Sequence, residues 1–465
     1  MNRGFETELS NARMATLATA TDTKTPRDKG KSTFAYGALL VFTFLYYTRP
    51  ADLIPALKFV PLEKIIGGVA LIALIVTLAS GRVKRKFPLE FKLLLVLFGH
   101  LTLAIPFAYW RMGALVTVYE KFSKAIIVAF LVTLLVDSFE QLRKLLWVQA
   151  ASLALTTIAS VLIHHTDQGR LIGALGGIFE NPNDLAINIS INWPLCLAFL
   201  LAARGMARKA VWSIGVLAML LGVVLTYSRS GLLAMMVGVT ICVWEFGVKG
   251  KRFHLIAMAA LLCVVGAGVV VGTPHYLARV ASLFQGNIEG SGDRGSLEAR
   301  REILVDSIEE AIHHPIFGVG AGNFGAATLT WRVTHNTYTE FAAEGGFPAL
   351  FLFLAIMYLA ARNLRRTRLL LAYRENPEIR LFTQALWASL MAFAVGSLFA
   401  SFEYQLFPYF MVAYTSVMYR LASENSLQST NETPRKPTAK GNSWKRLSGA
   451  DSYGKDRTKT LDWSR

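Results

Sequence analysis

Apolar runs alternate with short polar turns along nearly the whole chain, and one polar stretch, about 272–338, is far longer than the others. Many of the runs approach the roughly 20 residues a helix needs to cross a bilayer. The pattern predicts about twelve spans, near 33–48, 64–80, 89–109, 122–137, 143–163, 185–203, 210–226, 231–247, 254–272, 339–361, 381–401 and 405–421. The period-two alternation of a membrane β-barrel is absent. The expected fold is therefore an all-α polytopic membrane protein with a large loop between late spans. Residues 1–32 read as a disordered leader, since they lack the apolar core of a signal peptide. Residues 33–422 form the transmembrane domain, with the long loop at 273–338, and residues 423–465 read as a disordered tail.

Charge orients this pattern. Of 465 residues, 53% are hydrophobic and only 17% charged, against roughly a quarter charged in a soluble domain. The net charge of +17 does not point to nucleic acid. Lys and Arg gather in short turns: 82–86, Arg204 to Lys209, Lys249 to Arg252, and Arg362 to Arg368. That is the positive-inside distribution. It places the leader and tail in the cytoplasm, and the segments 164–184 and 273–338 outside it. Cys196, Cys242 and Cys263 lie in apolar runs, with neither metal-ligand nor disulfide spacing. No internal repeat supports an inverted-repeat transporter.

Candidate chemistry concentrates in four places. Arg229 sits between two apolar runs among Tyr227, Ser228 and Ser230. An arginine at that depth needs a partner or a wet cavity, and a guanidinium fork suits phosphate. Gly231 beside it allows a backbone or ligand to come close. In the long loop, Ser296 to Glu298 read as a helix cap and Pro315 as a stop. Leu297, Leu304, Ile308 and Ile312 make an apolar stripe for packing on the bundle or the bilayer, with Arg300 at its edge and Arg301 nearer its centre.

Gly318 to Asn323 is a glycine-rich turn; it opens no βαβ unit, so it is not a nucleotide loop. His335-Asn336 lies where the loop re-enters the membrane, with Glu340 and Glu344 just beyond, and an imidazole there can take a proton. The segment Glu180 to Asp184 reads as a turn in which Asn183 or Asp184 caps the next span; Asn181 and Asp184 are also candidates to hold substrate. His164-His165 and His313-His314 have no Cys or carboxylate at metal spacing, and no metal site is expected.

These residues resemble the O-antigen ligase and Wzy-type polysaccharide polymerase superfamily of bacterial membrane glycosyltransferases. The matching pieces run from Gly177 to Ala186, from Tyr227 to Gly231, from Arg300 through His314 to Phe324, and from His335-Asn336 to Glu340 and Glu344-Gly345-Gly346. The resemblance implies about twelve spans and a periplasmic loop. The implied donor is an undecaprenyl-diphosphate-linked oligosaccharide, and the acceptor a glycan or lipid. It carries the functional arginines and loop histidine onto Arg229, Arg300 and His335, with Arg301 a second candidate and Asn181, Asp184, Tyr227 and Asn336 around the substrate. No cofactor, metal or nucleic acid is implied. The site would face the periplasm from the inner membrane, with the loop as a lid. A flippase of lipid-linked sugar is the alternative. It would require charged residues deep in several spans.

Overall fold

The computed structural model describes residues 28–48, 62–79, 87–163, 166–167, 169–173, 179, 181–253, 255–257, 293–330 and 332–432. Helix α1 spans Asp28–Thr48, α2 Leu62–Ala79 and α3 Leu89–Ala104, which runs into a 3-10 turn at Ile105–Phe107. Helix α4, Arg111–Val116, passes through a π-helical turn, Thr117–Phe122, into α5, Ser123–Leu135. Helix α6 covers Phe139–Ile163 and is followed by a small antiparallel hairpin, β1 Thr166–Asp167 and β2 Arg170–Leu171. Then come α7 Pro182–Ala202, α8 Met206–Leu225, and α9 Arg229–Cys242 with a π-helical end at Val243–Val248. The loop helix α10 is Asp293–His313, and α11 is the short Phe324–Ala327. The chain closes with α12 Thr337–Thr367, α13 Leu371–Glu375, α14 Pro377–Gly396 and α15 Leu406–Glu432.

The protein is an all-α polytopic membrane protein. Among the described residues seven helical segments are long and apolar enough to span: 89–107, 139–163, 182–202, 206–225, 229–248, 337–367 and 377–396. The expected span at 33–48 is present as a shorter apolar helix. The one at 122–137 corresponds to α5, 13 residues long and preceded by the π-turn, and is not among the seven. The one at 405–421 lies within α15, which is not among the seven. The span at 254–272, the loop's first part, the basic turn at 82–86 and the tail beyond 432 lie outside the described residues, as does most of the leader. Helix α1 nonetheless begins at Asp28, inside the expected leader, and α15 runs ten residues past the expected domain end.

Helix α7 is the centre of the bundle, packing on α6, α8, α9 and α14. Small residues permit this. A Cβ on Gly231 would lie 2.2 Å from that of Ala186, so it is a neighbouring backbone that the glycine admits. Gly396 likewise lets α14 close on Ile187 of α7. Buried amides line the centre: Tyr414 Oη donates to Gln149 Oε1 (2.6 Å), and Gln149 Nε2 donates to Asn192 Oδ1 (2.6 Å). Asn192 and Asn188 then donate to the carbonyls one turn earlier, Asn188 and Asp184. These deep polar groups are neutral and hydrogen-bonded to one another, as a low-dielectric interior requires.

Helix α12 is broken. Gly346 has φ 71° and ψ 176°, which only glycine adopts readily, and Pro348 follows. The break frees carbonyls in the membrane, where they must find donors. The loop's glycine turn supplies them. Val319 N donates to Ala343 O (2.8 Å) and Gly320 N to Glu344 O (3.0 Å), while Phe347 N donates to Pro315 O (2.9 Å). The Gly345 carbonyl meets His100 Nε2 at 2.8 Å. The Glu344 carboxylate in turn accepts from Gly322 N (2.6 Å), Phe324 N (3.0 Å) and Tyr404 Oη (2.8 Å). Gly318, Gly320 and Gly322 all have positive φ, and added Cβ atoms would lie 2.3–2.4 Å from Glu344, Ala108 and Thr117. A Cβ at Gly346 would lie 2.4 Å from Ile316 O. Gly346→Ala should therefore destabilise the protein by about 2–4 kcal/mol, read as a lowered unfolding midpoint in detergent. Gly68→Ala, where a Cβ meets nothing, should be close to neutral.

Candidate functional site

Three helices begin at one end of the bundle, each with a polar cap. Asn181 caps α7 by accepting from Asn183 N (2.8 Å), with Pro182 in the first turn. Asn181, not Asn183 or Asp184, is thus the cap. The Asn183 side chain is used elsewhere: its Oδ1 accepts from Ser228 Oγ (2.8 Å) and Arg170 Nη2 (3.0 Å). Ser228 caps α9, accepting from Gly231 N (3.1 Å), and Asn336 caps α12, accepting from Tyr338 N (3.0 Å) and Thr339 N (3.3 Å). The end of α14 touches these elements from both sides. Gly396 packs on α7, while Ser397 O and Ala400 O accept from Thr337 N, and Ala394 O accepts from Tyr338 Oη. The first turns of three helices, with their positive dipole ends, gather here.

The turns entering α9 and α12 are built alike. In each, a threonine is followed by a residue with positive φ and then by the cap: Thr226-Tyr227-Ser228 and Thr334-His335-Asn336. Tyr227 has φ 49° and His335 φ 53°. The threonine hydroxyl accepts the cap's own N–H, at 3.3 Å from Ser228 and 3.2 Å from Asn336. A left-handed conformation is uncommon for a non-glycine residue, costs about 1–3 kcal/mol, and concentrates at functional sites. Two of the residues singled out from the sequence carry it.

His335 is half-buried at the mouth of the bundle, with Arg300 near enough to act on its charge. Burial, and then the Arg300 guanidinium, hold its imidazole below the usual histidine range, so it is neutral near pH 7. Behind it, Thr334 Oγ1 donates to Glu340 Oε2 (2.8 Å), with the Asn336 carbonyl 3.0 Å away. Glu340, Glu344 and Glu403 are all buried. Among the described residues no group of His, Cys, Asp or Glu is arranged to hold a metal ion.

The loop helix turns an unexpected face inward. Its buried positions are Ile303, Ser307 and Ala311, with Arg300 half-buried in line with them. Ile303 packs with Phe324 and Ala343. Leu304, Ile308 and Ile312, the stripe expected on the bundle or the bilayer, are 36%, 47% and 61% exposed and so do not pack on the bundle; the Leu297 side chain lies outside the description. The long aliphatic stripe does not mark the face that packs on the bundle. Ser307 and Ala311 are small enough to let α10 lie close on α12, and they are too weakly apolar to stand out in sequence. This separates the two arginines: Arg300 lines the site, whereas Arg301 is exposed. The helix also begins at Asp293, three residues before the expected Ser296 cap.

The structure therefore brings Arg300 beside His335, and groups Tyr227 and Arg229 with Asn181, Asn183 and Asp184 at the same end. The Asn336 amide oxygen is taken up by capping. Sequence reasoning missed Arg170, whose Nε donates to Thr226 O (3.0 Å) while its Nη2 holds Asn183, tying the Tyr227 turn to α7. The available signal was its place: like Arg300, it is a cation on the side that the positive-inside rule leaves poor in cations.

Residues 214–354 match the family model described as O-antigen ligase. The matched segment contains Tyr227, Arg229, Arg300, Arg301, His335 and Asn336, and it stops short of Arg170 and the α7 cap. The match supports glycosyltransferase activity of the O-antigen ligase or polymerase type. No curated protein matches the chain. Among solved structures, a chain of a peptidoglycan synthase complex that coordinates polymerization and crosslinking is similar at 18% identity and a TM-score of 0.41, over 71% of this chain and 98% of that one.

The titration of His335 tests the geometry directly. Its midpoint, followed by NMR of histidine-labelled protein, should lie below the usual 6.5. A neighbouring positive charge disfavours the imidazolium, so Arg300→Gln should raise the midpoint. Burial remains in that variant, and the rise should stop short of the ordinary value.

Proposed function

We propose that this chain, with its O-antigen ligase domain at 214–354, transfers an oligosaccharide from an undecaprenyl-diphosphate donor to a glycan or lipid acceptor at the periplasmic face of the inner membrane. The observation that carries this reading is the convergence at one membrane-facing end of three capped helix starts, Arg229, and the Arg300–His335 pair. A lipid diphosphate presents its charge at that depth. Helix N-termini and guanidinium groups are the donors that stabilise it.

The donor already carries a good leaving group. The acceptor oxygen attacks the anomeric carbon, the carbon–oxygen bond to phosphate breaks, and the diphosphate leaves with the electron pair on its lipid. Arg229 and Arg300 stabilise that charge in a partly dry site. The acceptor hydroxyl gives its proton to His335, whose neutral state suits a general base. One displacement without a covalent intermediate inverts the anomeric configuration. Asp184, Tyr227 and Asn181 lie where they could orient the sugar, and Arg170 holds the Tyr227 turn in place.

A flippase would use charged groups deep in the spans. The centre of the bundle holds the neutral amides and tyrosine of the α7 network, and buried carboxyls such as Glu90, Glu245 and Glu344 are held by Asn363, Arg368 and the loop backbone; these observations lend that alternative no support. Ligase and polymerase differ in acceptor alone, and both fit this site.

Reconstituted protein supplied with a lipid-diphosphate oligosaccharide tests the reading. Arg229→Ala, Arg300→Ala and His335→Ala should each lower transfer by about 100-fold or more, with the unfolding midpoint little changed. Wild-type turnover in all three, or a product of retained configuration, would remove the proposal. Elongation on the lipid would mark a polymerase, and transfer to a distinct glycolipid a ligase. The rate should fall as pH drops through the lowered His335 midpoint, because protonation removes the base.

A further inference from the structure

The loop helix α10 carries three distinct stripes, each turned about 100° from the last. The first, Arg300, Ile303, Ser307 and Ala311, packs on the bundle. The second is the same stripe moved on by one residue: Arg301, Leu304, Ile308 and Ile312, joined by Val305. All five are exposed, Val305 at 54% and Ile312 at 61%. The third holds Glu302, Asp306, Glu309 and Glu310. An aliphatic face with one cation thus lies directly beside the packed face; Glu302 and Glu309 are exposed on the far side of it, and Asp306 and Glu310 are half-buried.

The aliphatic face continues into the surface of the bundle. At the end of α10, Ile316 is 60% exposed, and Phe317 stacks on Phe107 with ring centroids 4.7 Å apart. Phe107, Tyr109, Trp110 and Met112 beside it are exposed, as an aromatic belt at a membrane interface would be. Tyr109 N donates to Val319 O (2.9 Å), which fixes the turn at that level.

We infer that the Leu304–Val305–Ile308–Ile312 face of α10 is buried in the lipid leaflet on the site's side of the membrane, with Arg301 reaching the headgroup phosphates and the exposed Glu302 and Glu309 in water. A cation on the lipid face with carboxylates turned away suits an anionic headgroup layer. The two adjacent arginines then have separate tasks: Arg301 anchors the helix in the headgroup layer, and Arg300 is held at that same depth facing His335. This inference needs the membrane and is independent of the reaction proposed above.

Site-directed spin labelling tests it. Cys196, Cys242 and Cys263 are replaced by alanine in the full-length protein. Single cysteines are then placed at 305, 308 and 312, and at 302 and 309 as controls. Each variant is labelled and reconstituted in vesicles of mixed zwitterionic and anionic phospholipid. Collision with dissolved oxygen relative to a water-soluble nickel chelate should be several-fold higher at 305, 308 and 312 than at 302 and 309, alternating with the helical period. Equal access of the chelate to all five sites would place the face in water and overturn the inference. Exclusion of both reagents from 305, 308 and 312, with immobilised spectra, would mean that protein covers it, and would overturn the inference equally.

Discussion

The break in α12 at Gly346 sets the arrangement of everything around the site. A helix satisfies its own backbone in a bilayer, and a broken one does not. Ala343, Glu344 and Gly345 must therefore find donors elsewhere, and they find them in the Val319 and Gly320 N–H groups and in His100. This requirement brings a loop far from α3 in sequence down onto the ends of α3 and α12. It also explains a pattern of composition. Four glycines, at 318, 320, 322 and 346, take conformations or contacts that a Cβ would forbid. Glu344 is part of the same repair, since its carboxylate receives two loop N–H groups and the Tyr404 hydroxyl. Arg300 and His335 sit just before and just after the segment pinned in this way.

The second constraint is electrostatic. Helix N-termini leave N–H groups without intrahelical partners, and capping satisfies only some of them. Placing the starts of α7, α9 and α12 around the end of α14 gathers partial positive charge at one end. Arg170, Arg229 and Arg300 add full charges to it. Asp184 and Glu340 lie in the first turns of α7 and α12 and offset part of this charge, and such an end favours the approach of anionic groups. The two threonine turns serve this end by setting Tyr227 and His335 in a backbone conformation that most side chains avoid. Arg170 supports one turn through Thr226 O, and Glu340 supports the other through Thr334.

What the sequence revealed and what it hid divide along physical lines. Long apolar periodicity is local, so α3, α6 to α9, α12 and α14 were legible as spans. The π-helical turn at 117–122 was not, because nothing in composition marks it. Arg229 and His335 stood out as polar residues at apolar boundaries, and both lie at the site end of the bundle. The glycine turn was recognised as tight and backbone-permissive, but its partner was hidden: hydrogen bonds to a broken helix are tertiary facts. The orientation of α10 was left open between bundle and bilayer for a related reason. The bulkiest stripe dominates any pattern, while the face that packs is chosen by how closely the helix can approach. Asn183 looked like a cap by position, yet its side chain was claimed by Ser228 and Arg170 from other parts of the chain.

These constraints also limit how the site can open. The loop looked from its sequence like a lid over the bundle. Lifting the 315–324 turn would break the bonds Val319–Ala343, Gly320–Glu344 and Phe347–Pro315, and those from Gly322 and Phe324 to the Glu344 carboxylate. Each leaves a buried polar group unsatisfied, at about 1–3 kcal/mol apiece. The sum is on the order of 5–15 kcal/mol, comparable with the whole stability of a typical domain. A turn held that firmly does not open once per reaction. It is better regarded as a fixed wall of the site, and a substrate carried on a membrane lipid would pass beside it, within the plane of the bilayer.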